Sequence, residues 1–316
     1  MPDRVLHVGP LERLHCLKSF QSFRDLPQPE LAVLAQHATE RFFRKRRPLL
    51  LLGERVDAVH LVVEGRVRVF QDEKETALVG PGEGVGWLEL FSGSEEGVRA
   101  VADTETLTLS FRRELFFDIL EDHFSIVHQL IKDLCTMRLA QKEVPADGAN
   151  TPVPEPGRSS SAPPPPHELD LAERIVFLRR AFPFARGRIA ELAELARHAT
   201  EVHIEPGAPI WSEGDEADDF LVLVRGVVAF RRGDGAGLRF GPKGTPGLLE
   251  ALAGSARRPS AVAEREHVQA LRLDVEHLLD VFEDNFELAL EYVGSVARDV
   301  LAARAVQAAP AARAAS

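Results

Sequence analysis

Residues Gly86 to Ala102 read GWLELFSGSEEGVRAVA, and residues Gly247 to Ala263 read GLLEALAGSARRPSAVA. Each stretch opens with glycine, runs through a short apolar helical turn to Gly-Ser, crosses a polar loop and ends in a small-apolar alternation. A glycine ahead of one helical turn lets backbone amides converge on a point, which suits an anion. An arginine arriving from the far side of the loop completes a phosphate clamp, because its planar fork matches phosphate oxygens. The first copy has Arg99 there and the second has Ser260.

The likeness extends outward from these two stretches at a constant offset. Arg13 matches Arg174, His37 matches His198, Gly53 matches Gly214, Gly65 matches Gly226 and Glu89 matches Glu250, each pair 161 residues apart. The offset slips by one only beyond the loop, where Leu120-Glu-Asp-His-Phe124 pairs with Phe282-Glu-Asp-Asn-Phe286. A domain-sized period means two copies of one domain rather than a solenoid. The spacing predicts a first domain over 1–144, a linker over 145–167 and a second domain over 168–316. The linker ends in Pro163-Pro164-Pro165-Pro166, and its Pro, Ser and Ala content cannot build a core.

Within a copy the pattern starts helical over Leu11 to Phe23 and Glu30 to Thr39. It then breaks into short apolar pieces. Val59, Leu61 and Val63 alternate, Gly65 turns the chain, and Val67 and Val69 alternate again, which reads as a hairpin-like pair. Leu107, Leu109 and Phe111 make a later strand. From Glu114 the period is helical again, with Phe124, Val127, Leu130, Ile131 and Leu134 on one stripe. Helices, many short strands and then helices describe a mainly β fold, a strand roll with flanking helices, made twice.

Composition narrows the partners. The 316 residues are 45% hydrophobic and 28% charged, with a formal net charge of -11. That balance fits a globular chain and argues against a general nucleic-acid binder. Cys16 and Cys135 form no C-x-x-C pair, so reduced, buried thiols in a cytoplasmic protein are expected. Met1 to Phe20 lacks the basic start and apolar run of a secretory signal, and no apolar run is long enough to span a bilayer, so no membrane partner is expected. The histidines are scattered and assemble no metal site, and His37 and His198 read as packing or capping residues. No nucleophile, base and oxyanion pattern stands out, so no enzyme is expected. The run Arg44-Lys45-Arg46-Arg47 falls in a turn; it reads as a solvated turn, with an anion or a partner's groove as the alternative.

In this order the motifs resemble the cyclic nucleotide-binding domain family, in tandem. In copy two they are Glu205-Pro206-Gly207-Ala208-Pro209-Ile210, Glu213-Gly214-Asp215 and Phe220 to Val228; in copy one, Pro48 to Leu52, Gly53-Glu54, Leu61 to Val67 and Pro81-Gly82 ahead of Gly86. The resemblance implies an eight-stranded β-roll whose phosphate cassette lies between two strands, with a C-terminal helix as output. It implies a glutamate after the first cassette glycine to hold the ribose and an arginine at the cassette end to hold the cyclic phosphate. Those positions are Trp87 and Arg99, before Ala100, in copy one, and Leu248 and Ser260, before Ala261, in copy two. Copy one keeps one anchor and copy two neither; Arg257 and Arg258 lie close by, with Pro259 between them and Ser260.

The expected ligand site is therefore Gly86, Trp87, Leu88, Arg99 and Ala100, with Gly247, Leu248, Ser260 and Ala261 a degenerate second cassette. Arg99 reads equally as a phosphate arm or as a surface arginine paired with Glu95 or Glu96. Trp87 is expected to fill the vacated ribose pocket. Glu89 and Glu250, about 200° round the helix from the ligand, are expected to face solvent. Two lost hydrogen bonds to the ribose cost roughly 3–6 kcal/mol, so cyclic AMP or cyclic GMP is expected to bind weakly and in copy one only. No cofactor is expected. The function so implied is a regulatory sensor of a cyclic nucleotide or other phosphorylated ligand; the alternative is a docking module for an unknown protein partner, its sites decayed. Ala302 to Ser316 is too short for the helix-turn-helix domain that follows this module in bacterial regulators, so no nucleic-acid partner is expected.

Overall fold

The structure is a computed structural model and describes residues 9–71, 73–93, 97–141, 168–232 and 235–313. The linker expected over 145–167 lies outside the described residues, as do Glu95 and Glu96. In copy one, α1 (Pro10–Ser19) and a 3-10 turn (Gln21–Phe23) lead to α2 (Gln28–His37). Leu26-Pro27 separates them, and Leu17, Leu31 and Leu34 are fully buried where they pack. Eight strands follow: β1 (Thr39–Phe43), β2 (Pro48–Leu50), β3 (Ala58–Glu64), β4 (Val67–Gln71), β5 (Lys74–Val79), β6 (Gly84–Val85), β7 (Val98–Ala102) and β8 (Thr106–Arg112). The short helix α3 (Trp87–Ser92) sits between β6 and β7, and α4 (Arg113–Asp122) and α5 (Phe124–Ala140) close the copy.

The strands form two antiparallel sheets in the orders β1-β8-β3-β6 and β2-β7-β4-β5. The stretches on either side of Gly65 are thus not a hairpin. β3 pairs with β8 and β6, while β4 pairs with β7 and β5. Gly65, at φ 91°, carries the chain from one sheet to the other, and a Cβ there would stand 2.3 Å from the Glu105 carbonyl oxygen. Only glycine allows that approach in that conformation. Between the sheets Val67, Val69, Val98, Ala100 and Ala102 are buried.

Copy two repeats the plan with α6 (Leu171–Leu178), α7 (Ile189–His198), β9 (Thr200–Ile204), β10 (Pro209–Trp211), β11 (Asp219–Arg225), β12 (Val228–Arg232), β13 (Gly235–Phe240), α8 (Leu248–Ala253), β14 (Ser260–Ala263), β15 (Val268–Asp274), α9 (Val275–Asp284) and α10 (Phe286–Arg313). Asp170 caps α6 reciprocally: Glu173 N donates to its carboxylate at 2.8 Å, and Asp170 N donates to Glu173 at 3.0 Å. The sheets are β11-β15-β9 and β10-β14-β12-β13. Trp211, Phe230 and Phe240 fill the inside of this roll with Leu221, Leu223 and Ala261.

Two compact units emerge, and they do not coincide with the two sequence copies. The first is Met1–Asp133 with Val293–Ser316, and the second is Leu134–Tyr292. The first unit thus combines the roll of copy one with the later turns of α10. The end of α5 belongs to the second unit. No helix among the described residues is long and apolar enough to cross a membrane.

Candidate functional site

Gly86 and Gly247 both stand at φ 89°, each as the residue before a six-residue helix, α3 or α8. Gly93 and Gly254 end those helices with positive φ again. The geometry of the cassette is therefore preserved in both copies. What surrounds each opening glycine differs. A Cβ on Gly86 would meet the Ala58 carbonyl oxygen and the side chains of Val56 and Leu50 at 3.2–3.5 Å. A Cβ on Gly247 would meet the Arg257 guanidinium at 2.5 Å and Trp211 at 3.2 Å.

In copy one the aliphatic members of the expected site are buried. Leu88 is buried in α3 and Ala100 in β7. Trp87 is half-buried, its indole packed on Gly84 so closely that a Cβ there would lie 3.0 Å from Trp87 Cδ1. The partners of Arg99 among the described residues are Phe70 and Glu73, not Gly86. On β7 the inward positions are Val98, Ala100 and Ala102, so Arg99 projects from the opposite face. There it pairs across the sheet with Phe70, its guanidinium carbon 4.3 Å from that ring's centroid, and Nη2 donates to Glu73 at 3.3 Å.

In copy two Leu248 is buried, Ala261 is fully buried and Ser260 Oγ accepts a hydrogen bond from Glu213 N at 3.0 Å. The residue that enters the cassette is Arg257, which the sequence left without a direction. It is 2% exposed. Nη1 donates to the Gly247 carbonyl at 3.1 Å, and Nη2 donates to the Asp219 carbonyl at 2.7 Å and carboxylate at 2.6 Å. The guanidinium lies 4.3 Å from the Trp211 ring centroid. Only Nε lacks a hydrogen-bond partner among the described residues. Burial pulls the Arg257 pKa down, and Asp219 and then Glu250 oppose that pull. The signal available in the sequence was positional: ten residues past the cassette glycine, with an aspartate at 219 and a tryptophan at 211 where copy one has Ala58 and Leu50.

Glu89 and Glu250 do not face solvent; each is 5% exposed. Burial raises both carboxyl pKa values. Around Glu89 the opposing influences are the backbone N–H of Glu89 itself, the Arg304 charge and the backbone N–H of Gly86. Within the first unit α10 covers this side of α3. Gly294 lies against the Phe91 carbonyl, where a Cβ would approach to 2.7 Å, and Arg298 Nη1 donates to Ser92 O at 3.3 Å. Within the second unit Arg258 Nη1 donates to the Leu139 carbonyl at 2.8 Å, and Cys135 Sγ lies 3.3 Å from Tyr292 Oη. Burial pushes the Cys135 thiol up to about 12, so it is an inert, protonated thiol. Cys16 is only half-buried. His198 stacks on His277 at 4.1 Å, and no metal-binding group of His, Cys, Asp or Glu occurs among the described residues.

The cyclic nucleotide-binding domain model matches residues 40–123 and again 201–285. The chain belongs to the cyclic nucleotide-binding domain family. A cyclic AMP receptor protein from Thermus thermophilus is 27% identical over 136 residues, covering 42% of this chain and 62% of the relative. A lysophospholipase from Neurospora crassa is 31% identical over 85 residues, covering 25% of this chain and 6% of the relative. The chain therefore spans less than two thirds of either curated relative. Among solved structures, the regulatory subunit of a cAMP-independent protein kinase A from Trypanosoma brucei is 18% identical, with 90% of this chain and 86% of that one covered and a TM-score of 0.35.

Proposed function

We propose that this is a regulatory protein in which the two cyclic nucleotide-binding-type domains act as protein-docking modules, their cassettes closed by the chain's own side chains. The observation that carries this reading is the commitment of Arg257. Its guanidinium already holds Gly247 and Asp219, and Leu248 occupies the place where the family resemblance implies a ribose-binding glutamate. For Arg257 to take a cyclic phosphate it must leave Asp219. That exchange costs about 2–3 kcal/mol, at the lower end for a charged pair because the Asp219 side chain keeps 25% exposure. The penalty is a loss of affinity of roughly thirtyfold to 150-fold, on top of the missing ribose anchor. In copy one the half-buried Trp87 and the outward Arg99 leave neither family anchor in the cassette.

Fluorescent cyclic AMP and cyclic GMP titrated into the full chain test this. No saturable binding is expected below about 100 µM. Micromolar binding that disappears in Arg257→Ala overturns the docking reading and makes copy two a ligand sensor through the free Nε. Micromolar binding that disappears in Arg99→Ala instead restores copy one as the sensor.

A further inference from the structure

Laying the copies over each other isolates two oppositely charged segments, each present in one copy only. Residues 41–47 of copy one hold Arg41, Arg44, Lys45, Arg46 and Arg47, whereas copy two has Val202, His203, Ile204, Glu205, Pro206, Gly207 and Ala208 there. Residues 213–219 of copy two hold Glu213, Asp215, Glu216, Asp218 and Asp219, whereas copy one runs from Leu52 to Ala58 with Glu54, Arg55 and Asp57 as its only charges. All five basic side chains are exposed, as are Glu213, Asp215, Glu216 and Asp218. Among the described residues Lys45, Arg46 and Arg47 make no ion pair, nor do Glu213, Glu216 and Asp218.

Both segments are held rigid by backbone bonds. In the basic turn Arg46 N donates to Ala102 O at 2.7 Å, Ala102 N to Arg47 O at 2.9 Å and Arg47 N to Arg44 O at 3.0 Å. In the acidic loop Ser212 N donates to the Asp215 carboxylate at 2.8 Å, and Arg257 N to Asp215 O at 2.8 Å. Arg46 stands at φ 68°, the left-handed region, at the position where copy two has Gly207 at φ 79°. Copy one keeps a cationic side chain where the backbone favours glycine, so the side chain has a use outside the turn. Phe42, 53% exposed, stands beside the turn where copy two has a histidine.

We propose that the basic turn 41–47 of one chain docks onto the acidic loop 213–219 of a second copy of the same chain. In a two-fold dimer each chain offers both segments, so the contact is made twice. The net charge of -11 opposes association at long range, but screening within about 8 Å leaves the local patches to decide at contact. Exposed ion pairs contribute at most about fivefold each, so the dimer is weak and salt-sensitive.

Sedimentation equilibrium of the full chain between about 5 and 200 µM is the test. A dimer is expected in about 0.05 M salt, at least tenfold weaker in about 0.5 M. The variant Lys45→Glu/Arg47→Glu and the variant Glu213→Lys/Glu216→Lys are each expected to be monomeric. Mixed together they regain the dimer, because one unaltered turn then faces one unaltered loop, and in the second contact the exchanged charges at 45 and 47 and at 213 and 216 are again opposite in sign. Arg46→Gly, whose backbone copy two already adopts, removes a cation from both contacts and is expected to weaken the dimer by up to about 25-fold with the fold intact. A chain that stays monomeric in low salt overturns the proposal, as does a dimer indifferent to salt and to both variants, or a mixture that stays monomeric. A low-salt monomer that binds polyglutamate instead assigns the turn to a different acidic partner and also overturns it.

Discussion

Arg257 and Arg99 stand near the ends of matching loops, yet only Arg257 turns into its cassette. Ser260, the Arg99 counterpart, and Arg99 itself sit on strands where alternation sends every second side chain outward, while Arg257 lies three residues earlier, before β14 begins. Removing either partner of the Arg257–Asp219 pair leaves a charge behind, so Arg257→Ala is expected to lower stability by roughly 2–4 kcal/mol, read as a shift in the urea midpoint. Arg257→Lys rescues little of it, because an ammonium cannot reach Gly247 and Asp219 while lying flat on Trp211. His60 gives a second test at this scale. It is buried, its Nδ1 2.7 Å from Ser110 Oγ, and burial lowers its pKa to about 4, with the Arg41 charge adding to the shift. Below about pH 6.5 the unfolded chain takes up a proton that the folded chain refuses until about pH 4. Stability owed to neutral His60 is thus complete above pH 6.5 and lost as pH falls towards 4, by up to about 3 kcal/mol. His60→Asn is expected to flatten the dependence of the urea midpoint on pH across that window; an unchanged slope disproves the assignment.

At the scale of elements, the parts legible in the sequence are those set by neighbours in the chain. The paired glycines at 86 and 247, the helical stripes around α4 and α5, and the offset of the repeat follow from local φ, period and spacing. The partition of strands between sheets does not. Val59 to Val63 and Val67 to Val69 look like two arms of a hairpin because both alternate. The fact that separates them is the contact of Gly65 with Glu105 and Thr106, some forty positions later. Arg257 was obscured for a similar reason, since its direction depends on Asp219 and Trp211, far upstream. Glycines at positive φ separate these two kinds of cause. Gly65→Ala forces a Cβ to 2.3 Å from a carbonyl oxygen and is expected to cost more than about 3 kcal/mol. Gly53, at φ 78° with nothing within 4 Å of a Cβ, pays only for its backbone conformation, so Gly53→Ala is expected to cost about 1 kcal/mol. Equal urea midpoints for the two variants contradict the crossing role of Gly65.

On the scale of the whole molecule, the burial of Glu89 ties copy one to residues that the sequence gives no reason to place there. An isolated copy one, read from the repeat alone, exposes Glu89 on the back of α3. In the first unit that face is covered by α10 through Gly294 at Phe91, Arg298 at Ser92 and the Arg304 charge near Glu89. A carboxylate 5% exposed is tolerated only with such compensation, and a six-residue helix has little stability of its own. Deleting Val293–Ser316 is therefore expected to expose the Glu89 face of α3 and speed amide exchange across residues 86–93 at least tenfold. Arg304→Gln alone leaves the packing in place but removes the opposing charge. It is expected to raise the Glu89 pKa further, so that, after correction for intrinsic exchange, exchange across α3 rises with pH more steeply than in the wild-type chain. If exchange across α3 is the same in the deleted and intact chains, the helix α10 does not support the first cassette, and copy one holds α3 in place by its own contacts.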